Sequence, residues 1–495
     1  MKLLPIIFLL FIVLHSTIGS GCGMIVCYYT NWAQYRNGDA KFFPEHVDPS
    51  LCTHLIYAFA ILKDNKLVNF EENDMDTPWA QGMYARFDKL KEKNPNLIML
   101  LAVGGWNFGS KPFSQMVETA DSRQKFIDHG IGFLRAHRFD GLDLDWEYPA
   151  LRGGMPGDKE RFTLLVMELK EAITAEAIVS GKPRLLLTAA LGAGKPTIDA
   201  AYEVSTIAQV LDWINLMTYD FHGGFDTTAD HNAPLYSMTK NASDTFTVDF
   251  AINYYLKLGV PESKLVLGLP TYGRNGLLVN KNKNTPGSPI NGEGRAGPFT
   301  LVQGILAYYE YCKLVKDPMT LVGRAGMVPY AVYNSDFLGY DDVESIKEKV
   351  KYAKLKNLGG IMFWTLDFDD FSGKFCGEGA YPLINAAKKQ CELPDKHQGP
   401  GADVPLKSPT GMQHDGIPPP PKVPAKTIET KAGSSNDNDH NSLCSNVDGV
   451  RDFPDDCTKY VMCVNTFSYV LPCPGGLVFN KVSKYCDWPF NVQGC

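Results

Sequence analysis

Residues 140 to 147 read DGLDLDWE, four carboxylates within eight positions. Side chains alternate across a strand, so Asp143, Asp145 and Glu147 share one face with Gly141, while Leu142, Leu144 and Trp146 share the other. Neighbouring acids on that face stand about 7 Å apart. In a low-dielectric pocket, like charges that close cannot all stay ionised, so at least one proton is held. Glu147 is the outermost and meets a substrate first, and Asp145 behind it lifts its pKa toward that of a general acid. A solvated acidic edge would not be framed by two leucines and a tryptophan. An EF-hand calcium loop counted from Asp143 would need glycine where Tyr148 stands. The spacing therefore points to acid catalysis by the strand itself, with no metal and no cofactor expected.

Such a strand needs a scaffold that turns its acids inward. Eight apolar runs start near residues 24, 51, 97, 139, 185, 210, 265 and 358, and amphipathic stretches such as SRQKFIDHGIGFLRAHR lie between several of them. Alternating strands and helices imply a parallel sheet, and eight repeats imply an α/β fold, a (β/α)8 barrel. Each run is apolar at its start and polar or aromatic at its end, as in YYTNW, GGWN, DWEYP, TYDFH, TYGR and WTLDFDD. The ends of barrel strands and the loops after them form the active face. About 85 residues separate Arg274 from the last strand, too many for a simple crossover. An α+β insertion is expected at about 275–341, forming one wall of a cleft.

The chain has 495 residues, 44% hydrophobic and 21% charged, enough for one large domain and an appendage. Its net charge of −7 and pI near 5.8 offer no basic surface for a nucleic acid backbone. Lys2, an apolar run over 3–14 and small residues over 16–23 have the layout of a secretory leader, assigned to 1–22. No later run approaches a membrane span, so a secreted protein with no membrane partner is expected, as a monomer. In that setting twelve cysteines read as disulfides, and Asn241 begins a glycosylation sequon. The barrel is assigned to 23–392. Residues 393–442, with PPPP and GSSNDNDHN, cannot bury enough apolar surface to order and read as a linker. Residues 443–495 hold six cysteines, the usual remedy for a core too small to stand alone.

FDGLDLDWEYP matches the D-x-x-D-x-D-x-E signature of family 18 glycoside hydrolases. With YYTNW, LIYAFA, GGWNFG, NLMTYDFHG, PTYGR and FWTLDFDDF, residues 24–391 resemble the animal chitinases. The resemblance implies that Glu147 protonates the glycosidic oxygen and that the substrate's own 2-acetamido carbonyl is the nucleophile, giving an oxazolinium-like intermediate and retention. Asp145 would accept the acetamido N–H, Asp143 would share a proton with Asp145, and Asp140 would be structural. Tyr219 would donate to the acetamido oxygen, with Met217 and Asp220 lining the same pocket. Trp364 would be the floor under the sugar, and Tyr28, Phe59, Gly105, Trp106, Tyr272 and Arg274 would surround it. Trp32 and Tyr35 would extend the platform along chitin or N-acetylglucosamine oligosaccharides. The chain departs from the family at Phe225, where tryptophan is common, and in NGLLVNKNKNTPGS after Arg274.

The tail spacing C-x12-C-x5-C-x9-C-x12-C-x8-C, with aromatics between, is similar to the peritrophin-type chitin-binding domain. Tyr469, Phe479 and Trp488 would contact the polymer. Six cysteines allow fifteen pairings; the resemblance implies Cys444 with Cys463, Cys457 with Cys495 and Cys473 with Cys486. In the barrel it implies Cys27 with Cys52 and Cys312 with Cys376. Cys391 is then left over unless Cys22 survives leader cleavage; both fall at the barrel bottom, so they could pair. Two other functions share the acidic strand. A chitinase-like lectin binds without cutting and usually lacks the acid at 147, and an endoglycosidase on N-linked glycans usually lacks the aromatic cleft and chitin-binding tail.

Overall fold

The computed structural model describes residues 22–239 and 243–394 and, toward the C-terminus, 449–453, 456–464, 467–473, 478–481, 485–487 and 492. Asn241 and most of the expected linker lie outside these residues. The chain divides into two compact units, broken near residue 398.

The first unit is a closed parallel barrel of eight strands. They are β1 (Met24–Thr30), β2 (His54–Lys63), β3 (Ile98–Gly104), β4 (Gly141–Asp145), β5 (Leu186–Gly192), β6 (Trp213–Met217), β7 (Leu265–Pro270) and β8 (Gly360–Trp364). Each pairs with its neighbours in chain order, and β1 closes the ring against β8. These are the eight runs of the sequence. Their near-continuous burial explains why they read as apolar throughout rather than alternating.

Two hydrophobic cores result. Side chains pointing outward from the strands, among them Leu142, Leu144 and Trp146, join the main core under the helices. There Trp146 stacks on Phe113 at 5.1 Å between ring centroids. Val26, Tyr28, Ile56, Leu100, Ala102, Val266 and Met362 fill the barrel interior. Two of the helices over this core start at side-chain caps. Thr119 accepts from the Ser122 N–H at 3.1 Å ahead of Ala120–Ala136, and Asp342 accepts from the Ser345 N–H at 2.8 Å ahead of Val343–Leu355. No described helix is long and apolar enough to cross a membrane.

The insertion begins at Tyr272, so Tyr272 and Arg274 sit on its first strand, Tyr272–Leu278. That strand lies between Ile290–Glu293 and Asp336–Gly339 in an antiparallel sheet completed by Val328–Tyr333 and Leu321–Ala325. Ile305–Ala307 also pairs with it and leads into the helix Tyr308–Leu314.

Disulfides join Cys27 to Cys52, Cys312 to Cys376 and Cys22 to Cys391. The last brings residue 22 into the folded unit and ties the first strand to the final helix, Pro382–Glu392.

The second unit has a three-stranded antiparallel sheet, Gly449–Asp452, Lys459–Val464 and Phe467–Pro472, and a two-stranded one, Val478–Asn480 with Tyr485–Asp487. Cys457 and Cys473 each take part in a disulfide. The side chains of Cys444, Cys463, Cys486 and Cys495 lie outside the described residues, and so do those of Tyr469 and Trp488. Phe479 corrects an expectation: it is buried and stacks on Tyr460 at 5.5 Å. In so small a unit an aromatic ring is needed for the core, which leaves this one no face for a polymer.

Candidate active site

The acidic strand enters the barrel as its alternation requires. Asp143, Asp145 and Glu147 are all buried, and Asp143 lies in register with Ala102 on β3 and Thr188 on β5. Three donors from three other strands converge on Asp143: Tyr28 Oη at 2.7 Å, Thr188 Oγ1 at 2.5 Å and Asn215 Nδ2 at 3.0 Å. Burial pushes Asp143 above the usual carboxylate range, and these hydrogen bonds pull it back.

Asp145 has no such support. Its Oδ1 is buried without a hydrogen-bond partner. Burial first, then the charges of Glu147 and Asp143, push it well above the usual range. Of the two inner acids it is the one that burial and neighbouring charge push up with no hydrogen bond pulling it back. Glu147 is pushed up to about 7 by burial, with Asp220 adding to the rise and a hydrogen bond from Tyr148 and the charge of Arg152 opposing it. Asp140 stands apart, taking the Met99 N–H at 2.8 Å and pairing with Lys91 at 2.6 Å at the start of the strand, a structural role.

Rings surround the acids. Tyr28 and Trp364 are 5.3 Å apart, Phe59 lies nearly parallel to Trp364 at 5.8 Å, and Trp32 stacks on Phe59 at 5.9 Å. Gly105 makes room for this group: its φ is +87°, and a Cβ there would come within 2.5 Å of the Phe59 ring. Met217 packs against the interior core. Tyr219 is buried beside the acids, its phenol held protonated by burial and by the charge of Asp145. Trp106 is exposed at the rim. Tyr35 is exposed as well, its hydroxyl donating to Glu71 at 2.9 Å, and it has no place in the ring cluster.

Asp220 is held by the insertion. Tyr272 Oη donates to it at 2.6 Å, and Arg274 reaches it through Nε at 2.7 Å and Nη2 at 2.8 Å. The Arg274 guanidinium lies 5.5 Å from the ring of Phe225, which is exposed.

Several supporting residues were not singled out from the sequence. Thr188 and Asn215 hold Asp143, Arg152 donates to the Glu147 carbonyl at 3.0 Å, and Asn232 ties the Asp220 loop to the Tyr272 carbonyl at 3.1 Å. For the first two there was a signal, a lone polar residue inside an otherwise apolar strand run.

A parallel barrel with a buried run of acids at the end of its fourth strand, ringed by aromatics, defines a glycoside-cleaving class. The chain belongs to the family 18 glycosyl hydrolases, matched over residues 24–369, and residues 444–495 match the chitin binding peritrophin-A domain. It is 44% identical to chitotriosidase-1 of Mus musculus over 467 residues, 94% of this chain and 95% of that one. It is 38% identical to an endochitinase of Brugia malayi over 98% of both chains. Among solved structures, the Group IV chitinase of Ostrinia furnacalis superposes with a TM-score of 0.70 at 39% identity, covering 75% of this chain and 100% of its own. Human YKL-39, a pseudo-chitinase with retained chitooligosaccharide binding properties, gives 0.70 at 43% identity over 74% of this chain and 99% of its own.

Proposed function

We propose that this protein is a chitinase that cleaves β-1,4 bonds between N-acetylglucosamine units with retention of configuration. The observation that carries the reading is the Glu147 carboxyl, buried at the barrel mouth and raised to about 7, where a protonated acid can meet a glycosidic oxygen. Glu147 donates that proton as the bond to C1 breaks. The acetamido carbonyl oxygen of the same sugar closes on C1, and the strand supplies no nucleophile of its own. Asp145 accepts the acetamido N–H and offsets the positive charge of the oxazolinium ion, sharing a proton with Asp143. Tyr219 donates to the acetamido oxygen and holds it in line. Water then opens the ring, giving its proton to Glu147.

Trp364, with Tyr28, Phe59 and Trp32, offers apolar faces to the pyranose C–H groups, and Trp106, Met217, Asp220, Tyr272 and Arg274 bound the rest of the cleft. We read the chain as a secreted monomer whose leader stops at least one residue short of the expected 1–22, because Cys22 is bonded to Cys391, with the C-terminal domain holding the enzyme on solid chitin.

A time course of products from a chitin hexamer tests the reading. Wild type should release shorter oligomers, and Glu147→Gln should abolish release while oligomer binding survives. Unchanged turnover in that variant would sink the assignment, and binding without turnover in wild type would make the protein a lectin.

A further inference from the structure

The loop after β4 carries a cation that the proton-transfer steps do not use. Arg152 has φ +50°, between Ala150 at +61° and Gly153 at +85°. Two residues with a Cβ held in the left-handed region within three positions mark a loop whose shape is imposed. From this turn Arg152 Nη1 donates to the Glu147 carbonyl and to the Trp106 carbonyl, both at 3.0 Å, bridging the loops that follow β3 and β4. Its guanidinium carbon lies 3.3 Å from the centroid of the Trp106 ring. Trp106 is otherwise 56% exposed. With a planar cation on one face of the indole, the other face is left for a sugar.

We propose that Arg152 is a positioning residue that couples substrate stacking to proton donation, holding Trp106 flat for the sugar while setting a positive charge beside Glu147. The inference rests on the reading of Glu147 as the proton donor. Titratable groups face Glu147 from every side of the pocket: Tyr148 and Asp220 act on it directly, and Asp145 on the same strand, Tyr202 from the β5 side and Tyr219 after β6 feel its charge in turn. All of these are acids or phenols; the charge of Asp220 raises Glu147, the Tyr148 hydrogen bond lowers it, and Arg152 is the cation that lowers it with Tyr148. An arginine suits both tasks, because a guanidinium stacks on an aromatic face and stays charged throughout the working pH range.

The test is kcat and KM on a chitin hexamer as a function of pH for wild type, Arg152→Gln and Arg152→Lys. Glu147 must be protonated to act, so losing the neighbouring cation raises its pKa and carries the alkaline limb of kcat/KM upward, by about half a pH unit. Arg152→Gln should show that movement and a KM raised about fivefold. Arg152→Lys should restore the limb but not the KM, because an ammonium keeps the charge and loses the flat stack. Trp106→Ala should raise KM less in the Arg152→Gln background than in wild type. Wild-type KM and pH profile in both variants, or full additivity with Trp106→Ala, would overturn the inference. An inactive wild type would instead remove the reading of Glu147 on which it stands.

Discussion

Burial moves the Glu147 carboxyl from 4.5 up to about 7, and the shift has one sign for catalysis and another for folding. As a proton donor Glu147 works in its protonated form, so kcat/KM on a soluble oligomer should fall about tenfold per unit once pH passes about 7. A profile flat through mildly alkaline pH would contradict that role. For folding, a raised pKa means that the unfolded chain gives up the proton first. The cost to stability is absent below pH 4.5, grows as pH rises through about 7 and then levels off, at no more than about 3 kcal/mol. Glu147→Gln, which has no charge to bury, should therefore melt above wild type at mildly alkaline pH, with the gap closing in acid. Asp143 shows a different arrangement, since three neutral donors stabilise its ionised form. Thr188→Val removes one of them and should raise the pKa of Asp143, measurable as an upward shift of the acid limb of kcat/KM.

The strands were legible because each is buried along nearly its whole length and then changes to polar and aromatic residues at the catalytic face. The acids were legible because alternation fixes their common face. That Tyr28, Thr188 and Asn215 all bond to Asp143 was not, since they lie up to 115 residues from it in sequence and meet it only when the ring of strands closes. Phe479 was misread because spacing among cysteines does not tell a core ring from a surface one. The insertion hides a further element-scale device. Where its last strand hands over to the helix Val343–Leu355, Lys349 and Asp341 form a fully buried ion pair at 2.6 Å, and Ser345 Oγ donates to the same carboxylate at 2.7 Å. Lys349→Met leaves a carboxylate buried without its countercharge and should destabilise the barrel by about 3–5 kcal/mol in chemical unfolding. Lys349→Met with Asp341→Leu should recover much of that loss.

At the scale of the whole molecule, the two family matches divide the labour between cutting and holding. Removing residues 393–495 should leave turnover of soluble oligomers nearly intact and reduce adsorption to solid chitin, because a tethered module raises the local concentration of the barrel on an insoluble substrate. Equal loss on both substrates would mean that the barrel needs the tail in order to fold. The bridge between Cys22 and Cys391 spans 369 residues, so it closes nearly the whole barrel into one covalent ring and restricts the unfolded chain accordingly. For the leader proposed above, it also makes closure of the ring depend on where the leader is cut. A peptidase that cuts before Cys22 leaves a closed ring, while one that cuts just after it strands a thiol on the final helix. A misplaced cut would then be read as a single alkylatable sulfur at Cys391, or as pairs of molecules joined through it.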